Sequence, residues 1–469
     1  MKTLSIYERN PRVLSVLRFT FPTVVMMVFA SMYGIVDGIF LSNFIGSKAL
    51  SANNIVYPLV TVMMAVNLMF ATGSNAIIAK KMGEGKQHEA NSFLSVVVIV
   101  SVGVTALLSA IMLVFDTQLY SLLGADAELM PYCVSYGTVI ISGSVFYSLQ
   151  ILFQNFLVTA EKPAAGMSLT LAAGAVHIGL DLLFIPGLGM GIEGAALASV
   201  ISMMVAGLPP LFMFSRKSGK LHFETPSFKL RSLGFAMANG SSEMVTNLAT
   251  AITTMLFNLQ MMHLAGEKGV AAISAVLYVE SLFISVFLGF SSGVAPLFSY
   301  HYGAGNKKRL SALFKISFGF IMAASAAMFA LSQSLAEPII RAFAGNDKVL
   351  QELALHGLRI FSFSYLLGGI SVFGSSMFTA LNNGMISALI SLVRTLILRC
   401  GALLLFPALL GIDGVWLAVP AAEVFAAVLA GSLIFGLGKK YGYLNTGRLG
   451  SGLRRFSKKA ISFSLGKLF

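Results

Sequence analysis

Charge is what this chain has least of. Only 11% of its 469 residues are Asp, Glu, Lys or Arg, while 57% are hydrophobic. A water-soluble globular chain carries about 25% charged residues, so water is excluded as the main solvent. The two cysteines, Cys133 and Cys400, are too few for a disulfide framework. Both fall within or at the edge of apolar stretches, where packing accounts for them. The sequence contains no H-E-x-x-H, no G-x-S-x-G, no clustered Cys and His, and no phosphate-binding P-loop. Those absences argue against a membrane enzyme built on a metal or nucleophile centre, and against a nucleotide-driven machine. No cofactor is called for, and energy for any transport has to come from an ion gradient.

What the chain has instead is apolar runs of about 20 residues, each long enough to cross roughly 30 Å of hydrocarbon. They fall near 13–42, 54–79, 93–115, 131–158, 167–186, 193–214, 233–263, 271–300, 313–334, 353–381, 385–408 and 413–437. The expected fold is therefore an all-α membrane protein of about twelve transmembrane helices. The first run continues past the length of a signal-peptide core and has no small-residue cleavage site, so it reads as a retained span.

The net charge of +13 is spread over short connections rather than gathered on a polar domain, which argues for membrane topology and against nucleic acid. With the N-terminus inside, the cytoplasmic segments hold Lys2, Arg9, Arg12 and Arg18, then Lys80, Lys81 and Lys86, then Lys162, then Arg216, Lys217, Lys220, Lys229 and Arg231. Lys307, Lys308 and Arg309 follow, and a tail from Lys439 to Lys467 ends the series. Outward loops hold only Lys48, Lys268, Arg341 and Lys348, a roughly sixfold bias towards the inside. Both termini are expected on the cytoplasmic side of the cell membrane.

A single shift of 220 residues aligns the chain with itself. Gly46 falls on Gly266, Gly73 on Gly293, Gly83 on Gly303 and Gly85 on Gly305; Thr159-Ala160 falls on Thr379-Ala380, and Gly191-Ile192-Glu193-Gly194 on Gly411-Ile412-Asp413-Gly414. Six spans precede the junction, so two six-helix lobes in the same orientation are expected, related by an axis along the membrane normal. The expected division is an N-terminal lobe at 1–215, an exposed cytoplasmic linker at 216–232, a C-terminal lobe at 233–437 and a basic tail at 438–469. Two such bundles leave a central cleft that rocking opens to each side in turn.

Several local segments resemble one family. Pro22 is followed by Met32-Tyr33-Gly34-Ile35-Val36-Asp37-Gly38-Ile39-Phe40, and a later span carries His177-Ile178-Gly179-Leu180-Asp181-Leu182-Leu183-Phe184-Ile185. The turns Gly83-Glu84-Gly85-Lys86 and Gly303-Ala304-Gly305-Asn306 complete the set. Together these resemble the multidrug and toxin extrusion (MATE) exporters, with a first-helix proline and outer-half aspartate, and an N-xxx-D segment in the fifth helix. The match departs at His177, where asparagine is usual. The resemblance implies cation-coupled export of organic, often cationic, compounds by alternating access. It implies small organic molecules and membrane lipids as partners, with the chain acting as a monomer.

An ionised side chain near the bilayer centre costs at least about 2.5 kcal/mol, so each intramembrane acid is a functional candidate. Asp37 has no Lys or Arg within a helical turn and can take up H+ or Na+. Asp181 is expected at the same level, and the pair could share a cation. His177 lies one turn before Asp181, on the same helix face, where it serves either proton handling or packing. Ser199 matches a hydroxyl position of the family's sixth helix and either extends this network or packs as a small residue. Glu243 falls where some family members carry a cleft-facing glutamate. Glu280, Arg394 and Arg399 lie in apolar surroundings where an unpaired charge is expensive, so Glu280 is expected to pair with one of the arginines. That pair either lines the substrate cleft or braces the lobe. Glu193 and Asp413 read as helix N-terminal caps, and Glu423 has no assigned partner. Under the 220-residue shift Asp37 falls on Phe257 and Asp181 on Gly401, so ion coupling is expected in the N-terminal lobe alone. The 24 Met and 37 Phe suit either a pliable cleft wall or a lipid-facing surface.

The nearest rival is a lipid-linked precursor flippase of the same superfamily, kept open by Arg394 and Arg399. A major-facilitator transporter shares the 6+6 count but lacks its charged loop signature in the Lys80–Lys86 connection, and duplicated lobes disfavour a channel.

Overall fold

In the computed structural model the chain is helical, with no strand among the described residues. The structure describes residues 5–40, 45–217, 219–345 and 347–444, the side chains of 33–40 and 47 excepted. The N-terminal lobe begins with α1 (Val13–Phe40), α2 (Ser47–Gly83) and α3 (Gln87–Val114). Helix α4 is the bent pair Met130–Ser142 and Ser144–Thr159, turned by 46°. Helix α5 (Pro163–Leu182) runs into a π-helical turn at Leu183–Gly187, and α6 is Gly191–Ser215. The next helix, Leu230–Gly303, is far too long for one span; at Gly266 its backbone turns to φ 61°, ψ −152°, a conformation natural only to glycine. It is therefore two spans, α7 (230–265) and α8 (267–303). Helices α9 (Lys307–Ser334), α10 (Lys348–Phe361 continuing as Tyr365–Ala380), α11 (Gly384–Ser391, π-helical at Leu392–Leu398, then Arg399–Leu410) and α12 (Ile412–Tyr441) complete the second lobe. Among the described residues ten helices are long and apolar enough to cross a membrane; the bent pair and the division at Gly266 bring the number to twelve.

The repeat read from the sequence reappears in three dimensions. Helix α2 ends at Gly83 and α8 at Gly303, α3 starts at Gln87 and α9 at Lys307, and the short helices Asp116–Leu122 and Ala336–Ala344 also begin one shift apart. The contact between lobes obeys the same exchange. Gly83 lies against the Tyr300 carbonyl and Gly303 against the Lys80 carbonyl; Gly73 lies against Gly240, and Gly293 against Thr20. A Cβ at Gly73, Gly83 or Gly303 would collide with opposing backbone. In lipid, helices have no hydrophobic drive towards one another, and close backbone approach through small residues is the main source of their attraction. These crossings seal the lobes at the end that carries Lys80, Lys81, Lys307 and Lys308. Further along, Tyr57 on α2 and Ile252, Met255 and Leu259 on α7 are exposed.

Two sequence expectations gain detail here. The linker is only partly exposed: Leu221 is buried, Phe223 packs on Phe153 and Phe214, and Ser92 bonds both the Thr225 carbonyl and the Ser227 amide at 2.9 Å. Polar side chains on α3 supply the partners that its backbone would otherwise seek from water. Glu193 and Asp413 do sit in the first turns of α6 and α12, but neither helix has a side-chain capping bond. Their carboxylates instead accept from Ser135 at 2.5 Å and pair with His356 at 2.7 Å.

Gly73→Ala should cost about 1–3 kcal/mol through overpacking, read as a lowered unfolding temperature in detergent. Gly103→Ala on α3, whose Cβ would meet nothing within 4 Å, should leave it unchanged or raised.

Candidate functional site

The first cluster is built by α5 and α6. His177 and Asp181 are one turn apart on α5 and both fully buried, with His177 Nδ1 3.0 Å from Asp181 Oδ2. The other ring nitrogen, Nε2, lies 3.0 Å from Ser199 Oγ on α6. The three residues grouped by sequence reasoning therefore meet. Helix α1 packs alongside α5, with Met26 over Gly166 and Phe29 over Gly174. Both helices run in the same direction. From the Phe29–Gly174 contact, Asp37 is eight residues on and Asp181 seven, about 12 and 10 Å along parallel axes, so the two backbones reach one level. The side chain of Asp37 lies outside the described residues, as does any part it plays in holding Na+. Among the described residues no group of three His, Cys, Asp or Glu could hold a metal ion.

The distance between His177 and Asp181 is short but its direction is poor: neither Asp181 oxygen has a hydrogen-bond partner among the described residues. A carboxylate removed from water without such partners is costly.

The second cluster lies in the other lobe and shows the opposite economy. Arg394 Nε reaches both oxygens of Glu423, at 2.8 and 3.1 Å, and Arg399 Nη2 reaches the same carboxylate at 2.8 Å. Arg399 also pairs with Glu280 at 3.0 Å, so the partner that Glu280 needs is Arg399 and not Arg394. The α11 backbone makes this possible. In an α-helix residues five apart point about 140° from each other, but the π-helical stretch Leu392–Leu398, with its i→i+5 bonds, brings residues five apart towards one face. Two cations and two anions cancel; Glu423 is fully buried and Arg394 and Arg399 nearly so, and charge-assisted bonds, one of them bifurcated from Arg394 Nε to both Glu423 oxygens, hold the group.

Glu423 is the member that sequence reasoning left unassigned. It stands in an apolar span like Glu280, and the same burial argument would have given it an arginine. Glu243 joins neither cluster. It lines a small cavity of about 30 Å³ between the lobes with Thr72, Asn75 and Asn155 of one and Ser292, Ser299 and Thr379 of the other, three residues past the Gly240 crossing. Such a polar space holds a water or two, and among the described residues no basic side chain pairs with Glu243.

Glu423→Gln leaves two buried guanidiniums facing one acid, and should cost about 3–5 kcal/mol. Glu280→Gln, at the more exposed edge, should cost less. Thermal unfolding of the two purified variants in detergent checks the order.

These arrangements can be set beside known proteins. The chain is 24% identical over 442 residues to the multidrug export protein MepA of Staphylococcus haemolyticus, covering 92% of this chain and 95% of that one. The MepA of Staphylococcus aureus is 24% identical over 440 residues with the same coverage. An outward-facing multidrug resistance MATE transporter of the MOP superfamily superimposes with a TM-score of 0.87 at 21% identity, over 94% of this chain and 99% of that one. A MOP superfamily transporter from Pyrococcus furiosus gives 0.85 at 21% identity with the same coverage. The MatE family model matches residues 22–183 and 244–401, one stretch in each lobe and more than half of the chain together. A model that fits both halves of an internally repeated chain establishes its membership: the protein belongs to the MATE family of membrane transporters.

Proposed function

We propose that the protein is a secondary active multidrug efflux transporter of the cell membrane, both termini cytoplasmic, exporting organic and often cationic compounds in exchange for H+ or Na+ by alternating access. The single observation that carries the coupling reading is Asp181: fully buried, with neither oxygen hydrogen-bonded among the described residues. A structural carboxylate in lipid is saturated, as Glu423 is; an unsaturated one has a ligand that comes and goes. The export reading draws on the MepA relatives.

Of the two ions the geometry favours H+. The imidazole of His177 stands 3.0 Å from Asp181 and 3.0 Å from Ser199, in the sequence position where the family's usual asparagine would offer an oxygen. Hard cations take oxygen ligands, and an imidazole nitrogen in place of an amide oxygen offers Na+ one ligand fewer. Ion binding at α1 and α5 changes the balance between states only if Asp181 is met differently in each. Glu243, which lines the small polar space between the lobes without a basic partner among the described residues, is the acid we assign to a cationic substrate once that space widens in the cycle. The flippase reading loses its support, because Arg394 and Arg399 are held by Glu423 and Glu280 and present no cationic wall.

Efflux of a fluorescent organic cation from vesicles, under separately imposed proton and sodium gradients, tests this. The parent should follow the proton gradient. Asp181→Asn and Asp37→Asn, inserted to parental levels, should lose that dependence, and His177→Asn should gain response to sodium. Efflux driven by sodium alone in the parent would reverse the choice of ion. No efflux under either gradient would overturn the exporter reading and make lipid-linked cargo the next candidate.

A further inference from the structure

Residues 5–12, ahead of the first span, do not trail away from the bundle. They lie across its basic end and touch both lobes. On the N-terminal lobe, Glu161 accepts from the Ser5 hydroxyl at 2.5 Å and from the Ile6 amide at 2.9 Å, and the Tyr7 hydroxyl donates to the Thr159 carbonyl at 2.8 Å. Glu161 is aimed at this segment by a left-handed backbone, φ 62°, unusual outside glycine. On the C-terminal lobe, Arg309 at the start of α9 donates to the carbonyls of Tyr7 and Glu8 at 3.2 and 2.6 Å and to Asn10 at 3.2 Å. The Tyr7 ring is fully buried and stacks on Tyr300 with centroids 4.4 Å apart. Tyr300 is the residue whose carbonyl meets Gly83 in the interlobe crossing. Burial, with help from Glu161 and Tyr300, holds the Tyr7 phenol well above its usual range, so its hydroxyl keeps the proton it donates.

The 220-residue shift supplies an independent observation. Residues 5–10 fall on 225–230, the segment that precedes α7 and lies on α3 through Ser92. Each lobe is thus preceded by a segment that reaches the third helix of the opposite lobe. The second of these is fixed at both ends by the chain. The first is tied to the C-terminal lobe by Arg309 and the Tyr7–Tyr300 stack, and only the latter is deeply buried.

We propose that residues 5–10 form a strap that holds the transporter closed on the cytoplasmic side, travels with the N-terminal lobe, and has to release Arg309 before the lobes part there. This rests on the alternating-access reading. The strap adds to the closed state an attraction that the inward-open state lacks, and a contact made in one state alone is what moves a conformational equilibrium. A charge-assisted group of three hydrogen bonds is large enough to shift the populations about tenfold or more when removed.

Spin labels at Lys86→Cys and Lys308→Cys, both exposed at the basic end, report the interlobe distance in the full-length protein. The parent should give a dominant short distance with a minor longer one, the latter growing when the proton gradient or pH is changed. Arg309→Ala should raise the long-distance population about tenfold. Tyr7→Phe, which keeps the buried ring and loses only the bond to Thr159, should raise it less and guards against a folding defect in the first variant. Parental distributions in both variants, at parental thermal stability, would overturn the strap. A parent locked at one distance under all conditions would instead overturn alternating access itself.

Discussion

A bilayer does not tolerate a charge left without a partner, and that constraint sorts the acids of this protein into two kinds. Glu423 accepts three bonds from two arginines, with both of its oxygens engaged, and a charge-balanced group of this sort braces helices without exchanging anything. Asp181 is equally buried and is left wanting. Breaking a saturated group costs about 3–5 kcal/mol of stability, whereas an unsaturated one already carries its cost and recovers it when a ligand binds. Burial alone does not distinguish a brace from a coupling site. The count of satisfied oxygens does.

Motion has to be compatible with the same economy. The two lobes meet largely through glycines that let backbones touch, at Gly73 on Gly240 and at Gly83 on Tyr300, and no ion pair joins them among the described residues. Such contacts lose little besides dispersion when they part, so the interface can separate and reform within a cycle. Among the described residues most polar ties between the lobes gather at the basic end, where water replaces each broken hydrogen bond; a deeper one joins Ser31 on α1 to Ser285 and the Ser281 carbonyl on α8. The strap at residues 5–10 belongs there and nowhere deeper in the bundle.

Much of this was legible in the sequence, and the reasons differ by feature. The repeat was legible because glycine identity records backbone geometry directly: the turns at Gly85 and Gly305 and the break at Gly266 all need positive φ. The pairing of His177 with Asp181 followed from helical spacing. The convergence of Arg394 and Arg399 on one carboxylate did not, because α-helical spacing sets them on different faces and the π-helical turn that reunites them leaves no clear mark in composition. The anchoring of the mostly exposed linker was hidden for a related reason. Polar residues in a connection read as solvated, but Ser92, Ser95 and Asn91 on α3 answer its backbone groups, and which helix supplies such partners is a tertiary fact. The bend at Gly143 was equally silent, since the apolar run crosses it unbroken.

The symmetry of the frame makes the asymmetry of its chemistry informative. Two lobes built on one pattern, exchanging their crossings under one shift, would give two equivalent coupling sites if the polar residues were duplicated with the backbone. They are not: the positions matching Asp37 and Asp181 are Phe257 and Gly401, while Glu280 and Glu423 of the second lobe are taken by Arg394 and Arg399. On the proposed exchange mechanism, ion binding would change the energy of one lobe only. For rocking, that is sufficient, because a rigid partner converts a local change into relative movement. The buried Arg–Glu group would then brace the C-terminal lobe as a reference body, while the carboxylate without hydrogen bonds would be the part of the N-terminal lobe that responds. A ligand without different affinity for the two states could not drive such a cycle, so the proposed coupling requires this asymmetry between the lobes.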